Sequence, residues 1–323
     1  MYKEELEGAS TQIPFPGNPL GITYGSTGGY VAVGNVPPDY TSALYLTSPD
    51  GVTWTGGTGP ILGSLGGIAY DAIGGYVAVG NDNNIPPNSL YLTSPDGVTW
   101  TGGTGPIQGQ LRGITYGPTG GYVAVGNDNN YPYNSLYLTS PDGVTWTGGT
   151  GPVQGEVWAI AYGPTNGYVA VGNDNTTPYP CNTIYLTSPD GETWTGGTGP
   201  IQGFLYGITY GPAGGYVAIG TDGTNSLYLT SPDGETWTGG TGPIQGYLYG
   251  ITYGPTDGYV AIGSISDGNS LYLTSPDGET WTGGTGPVQG TLKGVAYDST
   301  GGYVAIGVDA SNITTSRIIC NSS

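Results

Sequence analysis

The chain has 323 residues, with 65 glycines, 26 prolines, 4 basic and 23 acidic side chains and no histidine. A net charge of −19 excludes nucleic acid as a partner, because phosphates must be met by Lys and Arg, and it repels anionic membrane surfaces. No membrane insertion is expected, since no apolar run approaches the roughly 20 residues of a spanning helix. Without histidine there is no His-assisted Ser or Cys nucleophile. The two cysteines, Cys181 and Cys320, make neither a zinc cluster nor a disulfide framework. No cofactor is implied.

In chain order, the opening MYKEELEGAS carries one Lys and no apolar core, so no secretory signal is expected. Next comes QIPFPGNPLGITYG, which aligns with the later TGPIQGFLYGITYG, placing Pro14 over Pro200 and Gly17 over Gly203. Four runs follow: GITYG, GYVAVG, ALYLTS and TWTGG. Each is short, rich in β-branched and aromatic residues, and bounded by Gly, Pro, Asn or Asp, so each predicts a strand. They are strands a, b, c and d of one repeat.

The repeat returns along the whole chain. The Tyr of GYVAVG or GYVAIG stands at 30, 76, 122, 168, 216, 259 and 303, in steps of 43 to 48 residues. Four strands at this period predict a propeller blade. The last unit ends in SRIICNSS, which aligns with strand c and leaves strand d missing. The amino-terminal segment supplies it. The expected fold is therefore all-β: a closed seven-bladed β-propeller of four-stranded antiparallel blades, one domain over residues 1–323. Residues 8–16 close the ring and remove an exposed edge. Cys181, between strands b and c of blade four, and Cys320, in strand c of the last blade, then lie almost opposite, and no link between them is expected.

SPDG joins strands c and d. Ser, Pro and Gly in those places favour a type I turn, and Asp hydrogen-bonds nearby backbone amides. The Trp three residues on is a large apolar body suited to the space between blades. These residues (Asp50, Trp54, Asp96, Trp100, Asp142, Trp146, Asp190, Trp194, Asp233, Trp237, Asp277 and Trp281) read as a structural hairpin. SPDGVTW and SPDGETW resemble the Asp-box, the bacterial neuraminidase repeat, over seven residues in each of six blades. The resemblance implies a hairpin at a propeller rim with no catalytic part. Asp and Gly are adjacent here, where the common Asp-box separates them by one residue. Sialidase chemistry, as the resemblance would have it, sets three arginines on the substrate carboxylate; with only Arg112 and Arg317, this is not an active sialidase.

Repetition marks what the fold demands, and variation marks where function can be carried. The a–b and c–d connections barely vary and share one face of a propeller. The d–a and b–c connections on the other face do vary. Before strand a the pattern is QGxLxGI. Its variable residues are Ser64 and Gly66, Gln110 and Arg112, Glu156 and Trp158, Phe204 and Tyr206, Tyr247 and Tyr249, and Thr291 and Lys293. Strand a is innermost, so they are expected to ring the channel mouth. The competing reading is drift at unconstrained positions. Five aromatics on adjacent blades and two of the four basic residues make an interaction site the sharper one. In the b–c loops, Asp82, Asp128 and Asp174 are weak calcium candidates, without a full calcium-loop pattern; Asx turns explain them equally. Asn175, Asn312 and Asn321 begin glycosylation triplets.

The expected function is non-enzymatic: a binding or structural propeller acting through its variable face on a protein or glycan receptor, or on neighbouring subunits of a larger assembly. The composition, with 28 tyrosines and 8% charged residues, resembles that of surface and virus proteins of thermoacidophilic archaea. That resemblance implies a virion surface or extracellular protein in attachment or assembly, and scarce charge without histidine lowers sensitivity to acid. The alternative is a carbohydrate-binding lectin. More remote is a glycosidase working through Glu156 with Asp174 or Asp128 as paired carboxylates.

Overall fold

The computed structural model describes residues 11–13, 15–37, 41–175, 181–298, 300–309 and 313–318. Among them the regular elements are all β-strands. A short strand, β1 (Thr11–Ile13), comes first. Blade 1 is β2 (Asn18–Gly25), β3 (Gly29–Val36), β4 (Ser42–Ser48) and the first half of β5 (Thr55–Asp71). Blade 2 is the second half of β5 with β6 (Gly75–Asp82), β7 (Asn88–Ser94) and β8 (Thr101–Gln108). Blade 3 holds β9 (Gln110–Gly117), β10 (Gly121–Asn127), β11 (Asn134–Ser140) and β12 (Thr147–Gln154). Blade 4 holds β13 (Glu156–Gly163), β14 (Gly167–Asn173), β15 (Asn182–Ser188) and β16 (Thr195–Gln202). Blade 5 holds β17 (Phe204–Gly211), β18 (Gly215–Thr221), β19 (Asn225–Ser231) and β20 (Thr238–Gln245). Blade 6 holds β21 (Tyr247–Gly254), β22 (Gly258–Ser264), β23 (Asn269–Ser275) and the first half of β24 (Thr282–Tyr297). The second half of β24 continues into β25 (Tyr303–Asp309) and β26 (Ile313–Ile318).

All pairings are antiparallel between neighbours in each blade. β1 pairs with β26, Thr11 opposite Thr315 and Ile13 opposite Ile313. The innermost strands touch in series: β2 meets β5, β5 meets β9, then β13, β17, β21 and β24, and β24 meets β2. One feature differs from the expected separate strands. Strands d and a run on unbroken in β5 and β24, through Gly63 and Gly290. Both have φ of 159°, the flattest among the glycines at this corner, where Gly109, Gly155 and Gly203 lie at 150°, 145° and 143°.

Strand b is buried from end to end, as in β14 and β22, because both its faces pack on neighbouring blades. Its continuous small and β-branched run suits that position. Strand d alternates between exposed and half-buried, which tolerates its glycines. Between blades, the buried Tyr of strand b reaches into the a–b turn of the preceding blade. Tyr76 Oη donates to Gly29 O at 2.9 Å, and Tyr168 Oη to Gly121 O at 3.0 Å. Burial pushes the Tyr76 phenol up to about 12, so it stays a neutral donor.

The hairpin residues make a second clamp. Asp50 Oδ1 accepts from Val52 N at 2.8 Å and Thr53 N at 2.7 Å, and Ser48 Oγ accepts from Gly51 N at 2.8 Å. Gly51 sits at φ 75°, which a side-chain-bearing residue rarely adopts. Trp54 Nε1 donates back to Gly51 O. Asp96, Asp142, Asp190, Asp233 and Asp277 repeat the same bonds. Trp100, Trp146, Trp194, Trp237 and Trp281 each lie beside a strand-c Tyr of the preceding blade, centroids 5.8–6.2 Å apart.

Candidate functional site

The inner strands share one irregularity. In each, the register with strand b slips by one residue just before the conserved Gly or Ala. The skipped residues are Leu20, Gly66, Arg112, Trp158, Tyr206, Tyr249 and Lys293. A bulge leaves one residue unpaired and re-aims its side chain. The second variable position of QGxLxGI is thus the bulge position in every blade. Leu20, in blade 1, belongs to the set although its NPLGI lacks the QG signature.

Gly66, Arg112, Trp158, Tyr206 and Tyr249 line the end of a central cavity of about 180 Å³. Its wall is made of the next two residues of each inner strand, Gly or Ala followed by Ile or Val, such as Gly113 and Ile114. At the mouth the side chains form one continuous arc. The Arg112 guanidinium carbon lies 3.8 Å from the centre of the Trp158 ring. Trp158 meets Tyr206 edge-on, centroids 5.3 Å apart at 88°. Tyr206 meets Tyr249 at 5.5 Å. Lys293 Nζ stands 5.7 Å from the Tyr249 ring centre, within cation–π range. Phe204 and Tyr247 form an outer row, nearly parallel to Tyr206 and Tyr249 at 8° and 9°. Blades 1 and 2 contribute only Leu20 and Gly66, so the arc faces an open side.

The arc is held by residues at the ends of strand b. Asn127 Oδ1 accepts from Arg112 Nε at 3.0 Å, and Asn173 Oδ1 accepts from Trp158 Nε1 at 2.8 Å. Burial raises the pKa of the Tyr249 phenol, and the Ser264 hydroxyl partly offsets that rise. Asn127 and Asn173 donate their own amides to the carbonyls of Asp128 and Asp174, which orients their oxygens toward the mouth. These supports escape a reading of single repeats; the signal is that Asn ends strand b in the blades that carry Arg112 and Trp158, and Thr or Ser in the blades that carry Tyr206 and Tyr249.

The two cations differ. Arg112 Nη2 is 3.3 Å from Glu156 Oε1 and 3.3 Å from Gln110 Oε1. Burial lowers its pKa while Glu156 raises it. Lys293 is lowered by burial alone, and among the described residues no carboxylate pairs with it. On the opposite flank, Asn18 Nδ2 donates to Asn35 Oδ1 at 3.2 Å and Asn35 Nδ2 to Ser64 Oγ at 2.7 Å. Ser64 is a half-buried member of this polar belt, and Gln110 and Thr291 are half-buried at the equivalent positions of β9 and β24.

The other candidates sit elsewhere. Asp82 Oδ1 accepts from Asn84 N and Asn88 N, and Oδ2 from the two amide side chains. Asp128 repeats this with Asn130 and Asn134, and Asp174 accepts from Asn182. These bonds hold the b–c loops and occupy the lone pairs that a cation would use. Glu156 is committed to Arg112, and Asp128 and Asp174 to their loops. Asn175 begins a sequon, but its Nδ2, the atom a glycan would join, is buried. Asn312, Asn321 and Cys320 lie outside the described residues, as do residues 8–10 of the expected closing segment. Cys181 is a free, half-buried thiol.

No protein-family model and no curated protein sequence matches the chain. Solved structures do. YCF48 bound to D1 peptide is similar at 18% identity and a TM-score of 0.65, over 98% of this chain and 96% of that one. Kuenenia stuttgartiensis hydrazine synthase matches at 12% and 0.65, over 98% and 99%. A protein of unknown function from Dyadobacter fermentans matches at 15% and 0.57, over 99% of each. The fold is a β-propeller. At these identities the likeness speaks for the propeller and for nothing finer, so the chemistry of the mouth must be argued from its own residues.

Proposed function

We propose that this propeller is a non-enzymatic binding module whose ligand docks at the channel mouth. The observation that carries the reading is the arc Arg112–Trp158–Tyr206–Tyr249–Lys293. Folding does not require it, since blades 1 and 2 make the same bulge with Leu20 and Gly66. Rings gathered at one concave mouth and fixed by polar anchors are the makings of a binding site. The similar propeller YCF48 has been solved with a peptide, a precedent for a bound ligand on this fold. Seven bulge residues of six different types favour a single asymmetric site over repeated equal ones.

The same proposal takes the whole chain as one closed ring of seven blades. The pairing of β1 with β26 and the contact of β24 with β2 support it. Deleting residues 1–16 should then lower the melting temperature sharply; an unchanged value would reject the closure. We extend the proposal to a virion or cell-surface setting, with attachment or assembly as the role, on the strength of the sparse charge and the tyrosine-rich composition. Immunogold labelling of source particles tests that part.

The binding reading is tested with a glycan array and a displayed-peptide library. Both are probed with the full chain and with a Trp158→Ala, Tyr206→Ala, Tyr249→Ala variant whose melting is checked first. A ligand bound by the parent and lost by the variant is the expected result. A ligand kept undiminished by the variant would put binding elsewhere. No ligand in either panel would favour a scaffold role. Mass spectrometry of a recovered ligand should find it unchanged.

A further inference from the structure

We infer that the mouth takes a hexuronate, a pyranose sugar carrying one carboxylate, with Lys293 as the partner of that carboxylate and the arc of Trp158, Tyr206 and Tyr249 against the ring. This rests on the mouth being the binding site. The first observation is the inequality of the two cations. Arg112 has Glu156, Gln110 and Asn127 around it. Lys293 is half-buried and, among the described residues, has only the Tyr249 ring. In a chain of net charge −19, acids to pair with Lys293 are plentiful, yet among the described residues none does so. A half-buried ammonium without a counter-charge is costly, and an arriving carboxylate relieves that cost.

The second observation concerns the body of the ligand. Trp158 and Tyr206 meet edge to face, and Tyr206 and Tyr249 are tilted by 32°, so the arc is a curved apolar wall that a ring can lean on. A cationic ligand is disfavoured, because Arg112 and Lys293 already stand at the two ends of the wall. Opposite the wall lies the belt of Asn18, Asn35 and Ser64. Its amides and hydroxyl both donate and accept, as sugar hydroxyls do. An extended peptide finds less here. The inner strands are paired on their blade side and packed against one another, so no strand edge is open for augmentation. A polyanion is disfavoured by the charge of the whole chain.

The test is titration calorimetry of the full chain with glucuronate- and galacturonate-terminated trisaccharides, each beside its neutral glucose or galactose counterpart. The parent is compared with Lys293→Gln, Lys293→Arg and the triple aromatic variant, all checked by thermal melting. The expected result is binding of a uronate, with the neutral counterpart and Lys293→Gln weaker by roughly 10- to 100-fold. Lys293→Arg should retain binding, and the aromatic variant should lose it. Equal binding of neutral sugars, or no effect of Lys293→Gln, overturns the carboxylate assignment; loss in the aromatic variant would then still uphold the mouth as the site. Failure of every uronate to bind overturns the inference outright. A peptide recovered from the library and lost in the aromatic variant would then name a protein partner.

Discussion

Tyr30 Oη donates a hydrogen bond to Asp298 Oδ2 at 2.6 Å across 268 residues of chain. Both residues are buried. The bond joins blade 1 to the a–b turn of the blade that contains β25, where β2 packs against β24. At four other seams the equivalent Tyr uses a backbone carbonyl, Tyr76 with Gly29, Tyr168 with Gly121, Tyr216 with Gly167 and Tyr259 with Gly215. Here Asp298 stands where most repeats have Gly, and Thr300 N and Gly302 N also donate to it. This seam between β2 and β24 is thus held by a charge-assisted bond, which is worth more than a neutral one. Tyr30→Phe should cost about 1.5–3 kcal/mol of unfolding free energy, against about 1 kcal/mol for Tyr76→Phe. Urea denaturation checks the order, and equal losses would deny the seam its special bond.

Tyr122→Phe should behave in the opposite way. Its hydroxyl is buried and has no hydrogen-bond partner among the described residues. Asp71 occupies the place of Asp298 in the facing turn, but it accepts from Gly74 N within that turn and leaves Tyr122 unserved. Removing an unsatisfied buried hydroxyl relieves its desolvation, on the order of 1 kcal/mol. Tyr122→Phe should melt at the same temperature or higher. A clear loss would show that Tyr122 has a partner after all.

The acid limb of stability follows from the hairpin aspartates. Backbone amides of Thr and Val hold Asp50, Asp96 and Asp142 at about 2, and the amides of Thr236 and Glu235 do so for Asp233. An unfolded Asp titrates near about 3.9. A depressed folded value means that the stabilisation is fully present above about pH 4 and is lost as pH falls toward about 2. Asp298 adds to this: burial raises its pKa, but Tyr30, Gly302 and Thr300 together lower it. Melting temperature should therefore hold from pH 7 to about pH 4 and drop below that. Asp→Asn at positions 50, 96 and 142 together should lower the neutral-pH value and flatten the acid limb. A plateau that ends at pH 6 would contradict the assignment, since the chain has no histidine to titrate there.

The repeat made the blades readable, because each strand type carries its own chemistry many times over. The GYVAVG run announces a strand buried on both faces, and SPDG followed by Trp announces the hairpin. The amino-terminal segment could be matched to strand d by aligning Pro14 and Gly17 with later repeats. The candidate site was only half readable. Arg112, Trp158, Tyr206, Tyr249 and Lys293 stood out as variation within a constant frame. That all of them are bulge residues was invisible, because a bulge is a count of one strand against its partner. Leu20 was hidden by the altered motif of blade 1. Asn127 and Asn173 looked like loop residues until their side-chain hydrogen bonds tied them to Arg112 and Trp158. The unbroken β5 and β24 run through Gly63 and Gly290, a continuity that composition does not record.

Gly66 gives the sharpest test of the mouth's shape. From sequence it is one more variable position, free to take any side chain. In the structure a Cβ at Gly66 would lie 2.9 Å from Leu111 O and 3.0 Å from both Cα and O of Arg112. These are backbone atoms of the neighbouring inner strand, so no side-chain rotation relieves the contact. Gly66→Ala must push blades 2 and 3 apart at the bulge, and overpacking of this kind costs about 1–3 kcal/mol. It should also shift the backbone under Arg112 and so disturb the stacking on Trp158. Chemical denaturation would show the loss, and a change in the near-ultraviolet circular dichroism of the aromatic arc would accompany it. If Gly66→Ala leaves both unchanged, the inner strands have room to spare, and the open side of the mouth is an accident of sequence with no basis in packing.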